Sequence, residues 1–523
     1  MGKQTENRAV ATGSPALYDA IIVGAGIAGL STAAFLAREG RKVLILEKHD
    51  KPGGYVTSFK RKDFTFESAL YHAPNLSEKE FIVQFITYWG GNLKTVRSKY
   101  RIKHFLGDQE FTIDDEHVMD DLVAYFPEEE EKIKEFFAIG ERIMNERFKM
   151  GPPAPLYEMS LFDKMVFGIK SLFMTPTNMK YMSLSAVKTI KSLFANKTLA
   201  DIIFGLDPIR IFFLSPIYIW WSLNNGQFYY PVGGFQVLSD TIAETIEKNG
   251  GELLLNTEVT RIITEDGRAV GVECKDGNKY YGKKVISNSP IHHTLNKLTI
   301  DVRELEPLRK KIDKYPTHVS AMMNFIGVDA EYDFKGYNWF VFSDENTIDL
   351  EEEDVTPQNC PLHMIVLPRK EGQQDYSVMI PAFIPYSYMQ NWGSEDGRRS
   401  QRYQEVKEEA QRIIIDRVCA KLGPDFRKAI KYRLASTPLT YERYTYNKNG
   451  ACMGWLQDEK YYNYVLSPIT PVKDFYLVGH YVFPGGGVPN VVVCGYYLAK
   501  RLLGAEGVDL SKNMDDYFKV KNH

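Results

Sequence analysis

Apolar positions in this chain come in short runs broken by glycine-rich punctuation, and their order predicts the first elements. Ala20-Ile21-Ile22-Val23 reads as a strand entering Gly24-Ala25-Gly26-Ile27-Ala28-Gly29. Leu30 to Glu39 reads as a helix closed by Gly40, which suits a left-handed C-cap. Lys42 to Leu46 forms a second strand, and Glu47 follows it. Two later stretches carry similar punctuation. Tyr230-Pro231-Val232-Gly233-Gly234-Phe235 leads into an amphipathic helix, then Gly250-Gly251-Glu252 and the run through Leu254-Leu255 to Val259. Phe475-Tyr476-Leu477-Val478 enters Gly479-His480-Tyr481, and Pro484-Gly485-Gly486-Gly487-Val488-Pro489 opens a closing helix that contains Gly495.

The first block has a chemical reason for each part. Gly24 permits the tight turn out of the strand, Gly26 lets backbone approach a pyrophosphate, and Gly29 lets the helix pack on the strand. The helix start offers unpaired N–H groups and the positive end of its dipole to phosphates, with Ala28 in its first turn. Glu47 can accept hydrogen bonds from ribose hydroxyls. Glu47-Lys48 is followed by Lys51-Pro52-Gly53-Gly54 and Thr57-Ser58. A glycine pair there lets the chain pass beneath a bulky cofactor without Cβ clashes, which favours a flavin dinucleotide. In the last block the glycine-rich turn opens a helix whose amides and positive end suit nearby negative charge.

These residues resemble the flavin-dependent amine oxidase and phytoene desaturase superfamily. The branch resembled most is that of carotenoid desaturases, carotenoid cis–trans isomerases and retinol saturases. The resemblance implies FAD, contacted by Gly24, Gly26, Ala28, Gly29, Glu47, Lys48, Gly53, Gly54, Thr57, Val259, Gly479, His480, Gly486, Gly487 and Val488. It implies an α/β fold in which a Rossmann-like FAD-binding domain, a mixed sheet with helices, is interleaved with an α+β substrate domain. The expected division is 17–75, 228–292 and 472–506 for FAD, and 76–227 and 293–471 for substrate. Two departures stand out. Gly479-His480 replaces the family's Gly-Asp, and Phe66-Glu67-Ser68-Ala69 ends in alanine where the family has glycine. His480 and Tyr481 are the candidate catalytic residues, from their place before the glycine-rich turn.

Composition narrows the function classes. The 523 residues carry a net charge of −3, which gives no reason to expect nucleic acid. Five scattered cysteines read as reduced thiols in a cytoplasmic protein, without metal-ligand spacing. Met1 to Pro15 lacks the apolar core of a signal peptide. The most apolar run, Ile209 to Leu223, is interrupted by Arg210, Ser215 and Pro216 and falls short of a membrane span. Between Met150 and Asn225, apolar residues mix with Lys164, Lys170, Lys180, Lys188, Lys191 and Lys197. This section (150–225) is a candidate membrane-facing lid, with a lid packed on its own domain as the competing expectation.

Aromatic clusters at Tyr218, Trp220 and Trp221, at Phe228 to Tyr230, and from Tyr441 to Tyr464 through Trp455 and Tyr462 suggest a long apolar channel. No nucleophile elbow, zinc motif, P-loop or second dinucleotide unit is present. The resemblance implies oxidoreduction at CH–CH bonds of a lipophilic isoprenoid or carotenoid-like molecule, with desaturation slightly preferred to saturation. Electrons would pass to or from a quinone, oxygen or a redox protein. A redox-neutral polyene isomerase is the alternative; a flavin amine oxidase and a non-catalytic flavin-binding protein stand behind it.

Overall fold

The structure is a computed structural model describing residues 17–150, 155–209, 211–389, 399–461 and 464–521. The amino-terminal stretch to Pro15, Arg210 and Tyr462 lie outside the described residues. Five parallel strands form the first sheet, in the order Phe475–Leu477, Val285–Ser287, Ala20–Val23, Val43–Leu46, Glu252–Leu254. Every residue of Ala20–Val23 and Val43–Leu46 is buried, as a parallel sheet covered on both faces requires. Helix Ile27–Arg38 returns across this sheet and is buried up to Ala37. It packs against helices Phe235–Lys248 and Val488–Gly504. Where it crosses the latter, a Cβ on Gly495 would press on Ser31 and come within 2.8 Å of the Thr32 amide nitrogen.

The mixed sheet expected here is divided into two sheets of pure type. Val259–Glu265, Arg268–Cys274 and Lys279–Tyr281 form a separate antiparallel sheet. Its first turn has Asp266 and Gly267 both at positive φ, 49° and 72°, the conformation that closes a tight hairpin locally. Parallel strands instead need long crossovers, so they assemble from distant segments.

A seven-stranded sheet forms the other half, in the order Ile430–Ser436, Met322–Val328, Tyr376–Ala382, Leu362–Val366, Trp339–Ser343, Arg101–Leu106, Gln109–Asp114. All its pairs are antiparallel except Trp339–Ser343 with Arg101–Leu106. One face packs under helices Glu130–Met150, Lys197–Gly205 and Leu214–Asn224. The opposite face packs against helix Gln401–Leu422. Trp220 is wholly buried within the helical layer, so the apolar run near Leu223 is core. Among the described residues no helix is long and apolar enough to cross a membrane.

Two hydrophobic cores gather these elements. Ile82, Ile86 and Trp89, and Ile291 through Ile312, join the core around the parallel sheet. Conversely Phe64 and Phe66 of the hairpin at 58–67 join the core of the larger sheet, where Phe64 stacks on Tyr432 with ring centroids 5.9 Å apart. That hairpin links the halves. Glu67, fully buried, accepts from Ser58 Oγ (2.6 Å), Tyr230 OH (2.6 Å), Phe235 N (3.2 Å) and Lys370 Nζ (2.9 Å). A carboxylate this deep is tolerable because each oxygen is hydrogen-bonded and the lysine balances its charge.

Candidate active site

The parallel sheet brings the three glycine-bearing blocks to one edge. Strand Ala20–Val23 ends at Gly24, whose φ is +95°. Beside it strand Val285–Ser287 ends at Asn288, and Asn288 Nδ2 donates to Gly24 O at 3.2 Å. A Cβ on Gly26 would lie 2.7 Å from Asn288 Nδ2, and one on Gly29 would lie 3.0 Å from the same nitrogen. Gly479, at φ +118°, approaches from the other side; a Cβ there would stand 3.3 Å from Asn288 Oδ1. Asn288 thus sits among glycines of the first and last blocks, yet it was not a sequence candidate. Its signal was a polar residue at the carboxyl end of a short apolar run, where ligands sit in open α/β sheets.

Glu47 is buried and its carboxylate accepts from Ala25 N (2.7 Å) and His49 N (3.0 Å), tying the glycine turn to the end of the second strand. Gly53 N donates to Ala25 O at 2.8 Å, and Gly53 and Gly54 both have positive φ. Thr57 Oγ1 donates to Gly54 O at 3.1 Å. Lys48 Nζ lies 3.1 Å from the centre of the Tyr446 ring, and burial pushes its ammonium down to about 8. Ala28 and Val259 line the same cavity as these groups.

Gly486, Gly487 and Val488 line the cavity where helix Val488–Gly504 begins. That helix and Ile27–Arg38 both start at glycine, without a side-chain cap, so two sets of free N–H groups meet the cavity. His480 Nε2 is 3.0 Å from Asn447 Oδ1; because an amide oxygen only accepts, Nε2 carries the proton. Burial, then His318, pushes His480 down to about 4, so its ring is neutral near pH 7. Tyr481 lies deeper, its ring edge-on to Trp455 at 4.8 Å, and burial holds its phenol neutral. The two candidate catalytic residues both line the cavity, their rings edge to face at 4.5 Å.

One cavity of about 1890 Å³ joins these groups to the helical layer. A usual ligand pocket holds about 300–1,000 Å³, so this volume admits a dinucleotide and an elongated second molecule. Tyr218, Phe228, Tyr441, Tyr444 and Tyr446 line it; Trp220 and Trp455 pack in the cores instead. Helix Leu161–Met174 also borders it, with Phe167 and Ser171 on the cavity and Leu161, Phe162, Met165, Val166, Ile169, Leu172 and Phe173 exposed. Among the described residues no group of three or more His, Cys, Asp or Glu is placed to hold a metal ion. Glycine cradle, buried acid and two uncapped helix starts together fit an anionic dinucleotide.

Comparison with known proteins agrees with that donor set. Residues 27–503 match the family described as flavin containing amine oxidoreductase. Prolycopene isomerase 1, chloroplastic, from an Oncidium hybrid cultivar is 26% identical over 508 residues, covering 94% of this chain and 85% of the relative. All-trans-retinol 13,14-reductase of Danio rerio is 25% identical over 562 residues, covering 96% and 89%. Among solved structures, putrescine oxidase bound to putrescine superposes with a TM-score of 0.62 at 13% identity, covering 94% of this chain and 99% of that one. At that identity the superposition speaks for the fold alone.

Replacing Asn288 with Ala leaves Gly24 O without its side-chain partner and opens the crossing. Flavin affinity should fall about tenfold or more, read as visible absorbance retained per chain after dialysis. Undiminished retention would make Asn288 a packing residue only.

Proposed function

This chain belongs to the flavin containing amine oxidoreductase family, and from that premise we propose an FAD-dependent enzyme acting on carbon–carbon double bonds of a long isoprenoid or carotenoid-like molecule. The observation that carries this is a single, largely apolar cavity running from the glycine cradle to the exposed apolar helix. Relatives named for prolycopene isomerisation and all-trans-retinol reduction support the substrate class. Bound FAD supplies two-electron exchange with the substrate. The chain's residues bind, orient and exclude water. Glu47 receives the ribose hydroxyls, and the N–H groups around Gly26 and Ala28 receive the pyrophosphate. The start of helix Val488–Gly504 stabilises negative charge near Gly487. His480, uncharged and held by Asn447, is a positioning group for that wall, and Tyr481 backs it through Trp455. Tyr55 and Tyr441 present phenols fixed to Ala451 O (2.8 Å) and Ser68 O (2.9 Å).

The same proposal assigns the parallel-sheet half to the cofactor and the seven-stranded half to the substrate, with electrons exchanged with a quinone, oxygen or a redox protein. It also makes the protein peripheral at a membrane. Leu161 and Phe173 are 85% and 82% exposed, and Lys164 and Lys170 stand on the same helix, an apolar surface with flanking cations that suits a lipid interface. A lipophilic substrate would then pass beside Phe167 into the cavity without crossing water. A second function, redox-neutral isomerisation, is favoured by the prolycopene isomerase relative.

Anaerobic mixing of photoreduced protein with all-trans-retinol or a poly-cis carotene separates the two. Net reduction should reoxidise the flavin in step with product; isomerised product with the flavin still reduced selects the isomerase. A reduced flavin that leaves every polyene unchanged contradicts both. For the membrane surface, flotation with anionic vesicles should recover the protein at low salt. Flotation should fall several-fold in the double variant Phe162→Asp, Phe173→Asp. Absence of flotation at both low and high salt would rule the surface out.

A further inference from the structure

Arg147 stands in the wall of the large cavity without a counter-ion. It lies in the last turn of helix Glu130–Met150, where Met144, Arg147 and Phe148, spaced three and four apart, all line that cavity. The helix packs against Leu161–Met174, Pro176–Tyr181 and Leu214–Asn224, which bring Phe167, Asn178 and Tyr218 to the same space. The arginine keeps accessible surface, yet burial holds its guanidinium below the usual arginine value. Both are true of a group whose open side faces an interior space.

Its neighbours fix it without neutralising it. Arg147 Nε donates to Asn178 Oδ1 at 3.2 Å. The amide of Asn178 is locked in turn, because its Nδ2 donates to Ile143 O and to Glu146 Oε2, each at 3.0 Å. Glu146, the adjacent acid, is turned to the start of helix Pro176–Tyr181, where it accepts from Thr177 N (2.9 Å) and Asn178 N (2.8 Å). Among the described residues no carboxylate pairs with Arg147, and its two terminal amino groups take no hydrogen bond. Glu80 lines the same cavity and acts on Tyr218, but forms no ion pair with the arginine. Tyr218 adds a third donor. Its hydroxyl accepts from Asn75 Nδ2 at 3.3 Å, and burial pushes the phenol up to about 12, so it keeps its own proton to donate.

These groups define the ligand they suit. An unpaired guanidinium in apolar surroundings is costly. With Nε engaged, the edge formed by Nη1 and Nη2 presents two N–H groups in the fork that matches the two oxygens of a carboxylate. A hydroxyl would leave the charge unanswered, and an ammonium would be repelled by it. We propose that Arg147 and Tyr218 receive the carboxylate of a long lipophilic polyene acid, the molecule that shares the cavity with the flavin. The proposal rests on the polyene assignment above and narrows it: the substrate is an anion, and Arg147 is a specificity residue.

The test is equilibrium binding to the holoprotein, read by quenching of tryptophan fluorescence, with all-trans-retinoic acid and its methyl ester as probes. Wild type should bind the acid about tenfold or more tighter than the ester. Arg147→Gln should bring the two affinities together by weakening the acid alone, with flavin content unchanged, and Arg147→Lys should keep part of the preference. Tyr218→Phe should cut the preference by a smaller factor, and gives a second route should the glutamine variant not fold. Equal affinities in wild type, or an acid preference untouched by these substitutions, would overturn the proposal. Flavin lost from folded Arg147→Gln would assign the arginine to the cofactor instead. Weaker flotation of that variant on anionic vesicles, with the ratio of acid to ester affinity unchanged, would assign it to lipid phosphate. Binding is read without turnover, so a protein that prefers the acid yet transforms no polyene would sink the reaction and leave this site standing.

Discussion

The side chain of Asn288 fills the space that glycines of the first and last blocks leave open, and the rest of the site follows from that approach. Gly26, Gly29 and Gly479 each leave room that a Cβ would fill against the asparagine. Ile21 is in register with Val285, and Ile286 with Tyr476, so the three strands deliver their carboxyl ends to the same edge. Helices Ile27–Arg38 and Val488–Gly504 both open onto the same cavity with uncapped N–H groups and the positive ends of their dipoles, which suits an anionic flavin. A Cβ at Gly29 would press on the Gly24 carbonyl at 2.5 Å and one at Gly26 on the Asn288 amide at 2.7 Å, while Gly479, at φ +118°, holds a backbone conformation that favours glycine.

How much of this was legible in the sequence depended on range. Gly24, Gly26, Gly29 and Glu47 lie within one strand–helix–strand unit, so their spacing carries the geometry. The Gly53-Gly54 pair was readable for the same reason, since its partner Ala25 is close in the chain. Asn288 was not readable, because its neighbours come from opposite ends of the sequence. The same is true of Glu67: its alanine-for-glycine neighbour drew attention, but Lys370 and Tyr230, which hold it, lie far along the chain. The helix at Ile82 and Ile86 follows its apolar face into the core around the parallel sheet, which the order of motifs does not reveal. His480 and Tyr481 both line the cavity, but the partners Asn447 and Trp455 that fix them lie elsewhere in the chain.

One cavity joins the glycine-bearing backbone to a wall of tyrosine and apolar side chains. Helix Leu161–Met174 borders the cavity through Phe167 and Ser171 while most of its apolar side chains are exposed. The chemistry belongs to the cofactor; what the chain adds is orientation and exclusion of water. The neutral state of His480 fits this division of labour, since an uncharged, hydrogen-bonded imidazole holds a wall in place without competing for electrons.

The most direct measurement is a titration of apoprotein with FAD and, separately, with FMN, followed by visible absorbance and bound stoichiometry. Convergence of the glycine blocks on a dinucleotide predicts one tightly held FAD per chain and markedly weaker FMN, which lacks the adenine half that Glu47 and the first turn receive. Equal affinity for the two, or a protein that stays colourless with both, would contradict the account.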